Sequence, residues 1–237
     1  MDAKSEISIE RDDGAGDRAQ RIRDRLRHAI IDRRLAPGAK LSEQEVGALF
    51  DVSRTVAKAA LQMLTFEGLV RTERNRGAFV ANPSIEEARQ IFASRRLIEP
   101  GLVQSACARI TEADIAAFHS QLDEESRHLS SRGPEARRAE IKASGDFHLL
   151  LADVAGNTIL AKFMEELVAR SSLVIALYGR TGTSTCGHQE HREIVNSLAN
   201  RDVEGATKLI ISHVDHIEAD LDLKTPAQGS LRSALML

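Results

Sequence analysis

Apolar residues recur at helical spacing along most of this chain, and the breaks in that rhythm mark its organisation. Ile22, Leu26, Ile30 and Ile31 stand on one face of a helix predicted over 19–34, with Arg21, Arg23, Arg25 and Arg27 on the rest. Leu35-Ala36-Pro37-Gly38 reads as a turn, because Pro presets one backbone angle and Gly tolerates positive φ. Ser42-Glu43-Gln44-Glu45 is a capping box that opens a short helix over 43–50, followed by a tight turn at Asp51-Val52. Ser53 is then the N-cap of a further helix. Val56, Ala60, Leu61 and Leu64 share its packing face, and Arg54, Thr55 and Lys58 point the other way. That helix ends near Gly68, and 71–80 reads as a two-stranded wing with a basic, Gly-bearing tip. Three helices plus a small hairpin make a winged helix–turn–helix, whose second motif helix presents its N-terminal residues to the major groove. On this stretch alone, a helical hairpin with a solvated basic face is the competing reading.

Pro83-Ser84 closes this module, predicted over 18–82, and only helices follow. Their expected spans are 84–110 (bent at Pro100-Gly101), 112–131, 135–155, 158–178, 188–199 and 202–222, with a loop over 179–187. Short connections imply antiparallel neighbours, so the fold class is mainly α: a winged helix–turn–helix followed by an all-α antiparallel bundle over 83–224. Residues 1–17 are polar and aperiodic and read as a disordered arm, and 225–237 as a loose tail.

Composition sharpens this. Of 237 residues only 3% are aromatic, which favours helices over sheets, and the length suits two domains. The net charge of −3 hides an asymmetry: residues 18–82 hold 13 Lys and Arg against 7 Asp and Glu, while both flanks are acidic. A basic module in an acidic chain suits a polyanionic partner such as DNA. Cys107 and Cys186 are too few for a disulfide framework, and no apolar run reaches membrane-spanning length, so a cytoplasmic protein without membrane association is expected. His148, His191 and His213 stand on three different predicted helices. Three imidazoles projecting into one bundle can bind a divalent ion with positions left open. Their spacings match no local zinc motif, so three unrelated histidines remain the alternative at this point.

The run "GAKLSEQEVGALFDVSRTVAKAALQMLTFEGLVRTERNRGAFV" resembles the DNA-binding domain of GntR-type bacterial transcription regulators. The resemblance implies operator contacts from Gln44, Arg54 and Lys58 and from the wing residues Arg74 and Arg76, beside Ser53 and Thr55 at the helix start. Where the family commonly reads Ser-Arg-Thr-Pro-Val-Arg, this chain has Val56-Ala57-Lys58 after Thr55. Lys58 lacks the bidentate fork of arginine. The segments "SGDFHLLLADVAGN", "HQEHREIV" and "GATKLIISHVDHIEADL" resemble the FCD effector domain of the FadR subfamily. That likeness implies that His148, His191 and His213 are metal ligands and that Arg95, in "ASRRLIEP", lines an effector cavity. The family's fourth ligand, usually Asp or Asn, corresponds to Ser144, which is assigned to the effector side. Asp146 lies about 200° around the helix from His148 and is expected to point away.

The reading is a non-enzymatic, ligand-responsive transcription regulator, a repressor, acting as a homodimer on double-stranded operator DNA. Its expected cofactor is a divalent metal, zinc with nickel or manganese as alternatives, and its effector a small carboxylate. A regulator sensing the metal itself, or a metal-dependent hydrolase with an appended DNA-binding domain, are the alternatives.

Overall fold

The computed structural model describes residues 15–31, 34–129, 133–180 and 186–223. The chain divides between Asn82 and Pro83 into two compact units. The first contains, in order, α1 (Ala15–Ile31), β1 (Lys40–Leu41), α2 (Glu43–Phe50), α3 (Arg54–Phe66), β2 (Val70–Glu73) and β3 (Gly77–Val80). Ser42 starts α2 by accepting the Glu45 N–H with its hydroxyl, and Ser53 starts α3 by accepting that of Val56. Each serine thereby satisfies an amide that has no partner within its helix. Between the helices Asp51 adopts a left-handed backbone (φ 51°), which a short polar side chain tolerates better than a branched one. Ala19, Ile22, Leu26 and Ile30 of α1 are buried, as are Val56, Ala57, Ala60, Leu61 and Leu64 of α3. α1 and α2 both pack against α3.

Two features differ from expectation. The wing belongs to a three-stranded antiparallel sheet of order β1-β3-β2, because Lys40 and Leu41 pair with Phe79 and Ala78. Two residues are too few to show strand alternation, and this pairing is set by the turn before them, where Gly38 donates to the Val80 carbonyl. α1 also begins earlier than predicted: Ala15–Asp17, assigned to the arm, are helical. Asp17 then sits in the first turn, where a carboxylate complements the helix dipole. The rest of the predicted arm (1–14), the tail (225–237) and most of the 179–187 loop (181–185) lie outside the described residues.

The second unit is helical: α4 (Ile85–Arg109), α5 (Glu112–Leu129), α6 (Pro134–Ala155), α7 (Thr158–Tyr178), α8 (Cys186–Ala199) and α9 (Val203–Ala219). α4 packs against α6, α7, α8 and α9, while α5 lies on α6 and α8. α4 continues without interruption through Pro100, where a bend was expected. Pro offers no N–H to the Arg96 carbonyl, but Glu99, Leu102 and Val103 are fully buried around it, so packing holds the helix together. Arg201 donates to the carbonyls of Cys107 (2.7 Å) and Ile110 (2.9 Å), satisfying acceptors at the end of α4. No helix among the described residues is long and apolar enough to cross a membrane.

The bundle's apolar core comes in two parts. One gathers Leu102, Val103, Phe118, Phe147, Leu151, Met164, Ile194 and Ile210, and the other Ala88, Ile91, Phe92, Val174, Tyr178 and Val214. Along α4, Arg95 and Glu99 fall between the two; along α7 Ser171 and Ser172 do so, and along α9 His213. A buried polar layer therefore separates two apolar ones. Gly145 sets the approach of α6 to α7 beside that layer. A Cβ built there would stand 2.9 Å from Val168 Cγ1 and 3.6 Å from Ser172 Oγ. Gly145→Val is expected to destabilise the bundle by about 1–3 kcal/mol, the usual cost of overpacking. A thermal melt of the variant followed by circular dichroism checks this, and an unshifted transition contradicts it.

Candidate nucleic-acid interface and metal centre

In the first unit the caps that build α3 also aim it. Val56, Ala57, Ala60 and Leu61 are buried, which leaves Arg54, Thr55 and Lys58 exposed together on the opposite face. Gln44 on α2 is exposed as well. The Ser53 hydroxyl is engaged by the Val56 amide at 3.3 Å, so Ser53 orders the helix start. Arg54 is 76% exposed and lies 3.5 Å from Glu43, a loose surface pair that a phosphate or base edge can displace. On the wing, Arg74 and Asn75 form the tip, with Asn75 left-handed at φ 62°. Arg76 is drawn back: it pairs with Glu73, and its guanidinium lies 5.5 Å from the centre of the Phe79 ring. Arg71 lies over the same ring and also pairs with Glu73. Of the predicted residues, Arg54, Thr55 and Lys58 share a surface, Arg74 is presented at the tip, and Arg76, 70% exposed, leans on Glu73 and Phe79.

In the second unit the structure brings His148 (α6), His191 (α8) and His213 (α9) together in the polar layer. Each is 1% exposed, and their nearest ring nitrogens lie within 4.8 Å of one another. His191 Nε2 stands 3.0 Å from His213 Nε2, which stands 3.3 Å from His148 Nε2. Phe147, next to His148 on α6, stacks on the His191 ring at 3.9 Å between centroids and forms an apolar wall.

Each imidazole turns its other nitrogen to a glutamate. His148 Nδ1 is 2.8 Å from Glu99, His191 Nδ1 is 2.8 Å from Glu125, and His213 Nδ1 is 2.7 Å from Glu190. An ionised carboxylate can only accept, so such a partner calls for the proton on Nδ1 and leaves Nε2 of a neutral ring as a bare lone pair. Burial holds the His148 imidazole down at about 3, against the pull of Glu99 and with the help of Arg95. His191 is also held well below its ordinary value, by burial first and then by His213. Burial works to raise Glu99, but Arg95 and His148 keep it well below the usual carboxylate range. Burial raises the Glu125 carboxyl against its hydrogen bond with His188. Three imidazole nitrogens converging in a buried layer are what a borderline-soft divalent cation requires. The donor set fits such an ion.

Beside the imidazoles lies a cavity of about 80 Å³, whose walls include Arg95, Ser144, His148, Ser171, Ser172 and His213. Arg95 is 2% exposed. Its Nε donates to Glu99 at 2.6 Å and its Nη1 to Ser171 at 3.4 Å, but its Nη2 is buried with no hydrogen-bond partner. An unpaired buried donor on a charged group is costly, and an anion in the cavity would satisfy it. Ser144 shares this wall, whereas Asp146 turns out to Lys142 with its side chain 39% exposed. Glu125 and Glu190 went unassigned in the sequence reading. The only local signal was the repeat His-x-x-His at 188/191 and at 213/216, and nothing in it says which carboxylate from another helix lies alongside.

Residues 18–80 match the family model described as "Bacterial regulatory proteins, gntR family", and residues 90–216 match that of the "FCD domain". The chain is 26% identical to the Uxu operon transcriptional regulator of Escherichia coli K12, with 83% of each chain covered. It is 27% identical to the transcriptional regulator LutR of Bacillus subtilis, over 78% of this chain and 92% of that one. A crystal structure titled as a putative transcriptional regulator GntR from Rhodococcus superposes with a TM-score of 0.73 at 28% identity, covering 86% of this chain and 96% of that one.

The exposed face of α3 generates a two-part expectation. Arg54→Ala should cost about 1–3 kcal/mol at one preferred base pair and relax the sequence preference there. Lys58→Ala should weaken binding to all duplexes evenly and reduce the salt slope by about one. Duplex binding measured by fluorescence anisotropy across a salt series separates the two, and identical behaviour of both variants contradicts the assignment.

Proposed function

The chain belongs to the gntR family of bacterial regulatory proteins and carries an FCD domain, so it is a DNA-binding transcriptional regulator and not an enzyme; on that premise we propose that it is a repressor controlled by a small carboxylate metabolite at a metal-bearing cavity. A homodimer in the cytoplasm presents two winged units to a pseudo-palindromic operator, matching protein symmetry to DNA symmetry. Gln44, Arg54, Thr55, Lys58 and Arg74 read and grip the duplex, with Ser53 ordering the helix start and Arg76 joining once released from Glu73. His148, His191 and His213 hold a divalent ion, zinc with nickel or manganese as alternatives. When bound, that ion supplies a Lewis-acidic centre for an anionic ligand. Arg95 binds the ligand's carboxylate through Nη2, and Ser144 and Ser171 orient it.

The observation that carries this reading is the unpartnered Arg95 Nη2, buried in the wall shared with the converging imidazoles. Control then requires that the ligand favour one of two arrangements of the chain, since only differential affinity shifts an equilibrium. Coupling of about 1–3 kcal/mol changes operator occupancy 5- to 150-fold. α4 is the element placed to transmit it, because it carries Arg95 and only residues 81–84 separate it from β3.

Arg95→Lys keeps a cation beside Glu99 but removes the second donor arm. It should bind operator and metal as the parent does while needing about 10-fold or more carboxylate to release DNA, as expected for a lost charge-assisted hydrogen bond. His191→Ala should lower the bound metal found by elemental analysis. Unchanged metal content in His191→Ala removes the metal from the account, and an unchanged carboxylate response in Arg95→Lys removes the ligand assignment. Release of DNA by chelation alone would make the metal itself the signal.

A further inference from the structure

We infer that Glu99, Glu125 and Glu190 are positioning residues that supply the centre's negative charge from behind its three imidazoles and fix each ring with its proton on Nδ1. This rests on the reading of His148, His191 and His213 as metal ligands, and goes beyond it to how the site is made selective for a dication.

The observation is an arrangement repeated three times on different helices. Glu99 lies between His148 and Arg95, with Arg95 Nε at 2.6 Å and His148 Nδ1 at 2.8 Å. Glu125 lies between His191 and His188, with their Nδ1 atoms at 2.8 Å and 3.2 Å. Glu190 lies between His213 and His216, accepting from His213 Nδ1 at 2.7 Å and from His216 Nδ1. Every inner imidazole thus has a carboxylate at its back, and every carboxylate has an outer partner that can also donate. The glutamates come from α4, α5 and α8, so no single helix register generates the set.

Charge makes the arrangement specific. Among the described residues, no carboxylate joins the three imidazoles in the cluster of metal-ligating atoms. Ser144 brings no charge, and Asp146 is committed to Lys142. The anionic charge that a buried dication needs therefore has to come from the layer behind the ligands. There, three carboxylates stand behind the ligands and only Glu99 faces a guanidinium, that of Arg95, so the charge that offsets a dication comes from this layer. Fixing the tautomer and raising ligand basicity are what such carboxylate–histidine pairs do at metal centres. α5 adds only Glu125 to this constellation, which makes Glu125 the sharpest probe.

The full-length chain is tested with Zn²⁺ alone, by competition against a chromophoric chelator, and its imidazole tautomers are read from ¹⁵N chemical shifts. Glu125→Gln keeps an oxygen that can accept the Nδ1 proton but removes the charge. It should bind Zn²⁺ about 10- to 100-fold more weakly with the His191 tautomer retained. Glu125→Ala should lose both affinity and the fixed tautomer, while Asp123→Asn, an exposed neighbour on α5, should change neither. Glu190→Gln, a less buried counterpart, carries the same expectation should Glu125 variants fail to fold. Glutamine variants that bind Zn²⁺ within twofold of the parent, or a parent whose three rings carry the proton on Nε2, overturn the inference while leaving the metal ligands intact. A parent chain that takes up no Zn²⁺ overturns the metal reading itself, and this inference with it.

Discussion

Three ring nitrogens turned toward one point inside an apolar bundle form the constraint around which the second unit is built. Buried polar atoms must be paired, and lone pairs of neutral imidazoles cannot pair with one another. The helices answer from behind: α4, α5 and α8 each bring a glutamate to a ring's Nδ1, which fixes how the front can be satisfied. The two apolar clusters above and below then hold the six helices around that layer. Gly145 belongs to the same demand, since without it α6 could not bring His148 so near α7 and the cavity wall.

The first unit is governed by simpler local chemistry, and it is correspondingly easier to read. Two serine caps and one left-handed Asp51 fix α2 and α3, and the buried stripe of α3 decides which residues face outward. The wing obeys a tertiary choice instead. Phe79 sits beneath two guanidinium groups, so Arg71 and Arg76 lean back toward the strand while Arg74 stands in the turn without that contact. Equal charge in the sequence therefore does not mean equal readiness to meet a phosphate.

What was legible follows from range. The helices from α2 to α9 were visible to within about three residues at their ends, α8 beginning at Cys186 instead of 188 and α9 ending at Ala219 instead of 222, because apolar periodicity, caps and Gly or Pro punctuation act over a few residues. Asp146 could be turned away from His148 by helical angle alone, whereas Ser144 was singled out by the family resemblance; the structure places Ser144 on the cavity and Asp146 toward Lys142. The convergence of the histidines was not legible from spacing, because gaps of 43 and 22 residues cross whole helices. Only resemblance to known effector domains suggested it. Glu125 was invisible for the same physical reason: its partners lie 63 and 66 residues away, and its role depends on how α5 is rotated against α8. β1 escaped because two residues carry no alternation, and the start of α1 because polar residues can cap a helix as readily as they can remain unstructured.

Arg95 and Glu99 sit one turn apart on α4, and Glu99 accepts from His148. On the proposed function, a ligand held by Arg95 and an ion held by His148 would therefore both bear on this helix from neighbouring turns. At its start, α4 is tied by the Pro83 carbonyl, which accepts the Tyr178 hydroxyl of α7 at 2.8 Å, and at its end by Arg201. A helix fixed at both ends and packed on four others does not bend gradually, because close-packed interiors repack between discrete arrangements. The polar layer at its middle is a place where the balance of charge can be altered without opening the apolar clusters. A carboxylate arriving there changes that balance by a full unit charge in a low-dielectric setting, where such a change is worth far more than on the surface. On the proposed function, an anion in this cavity therefore acts where a change of charge bears most directly on the arrangement of α4.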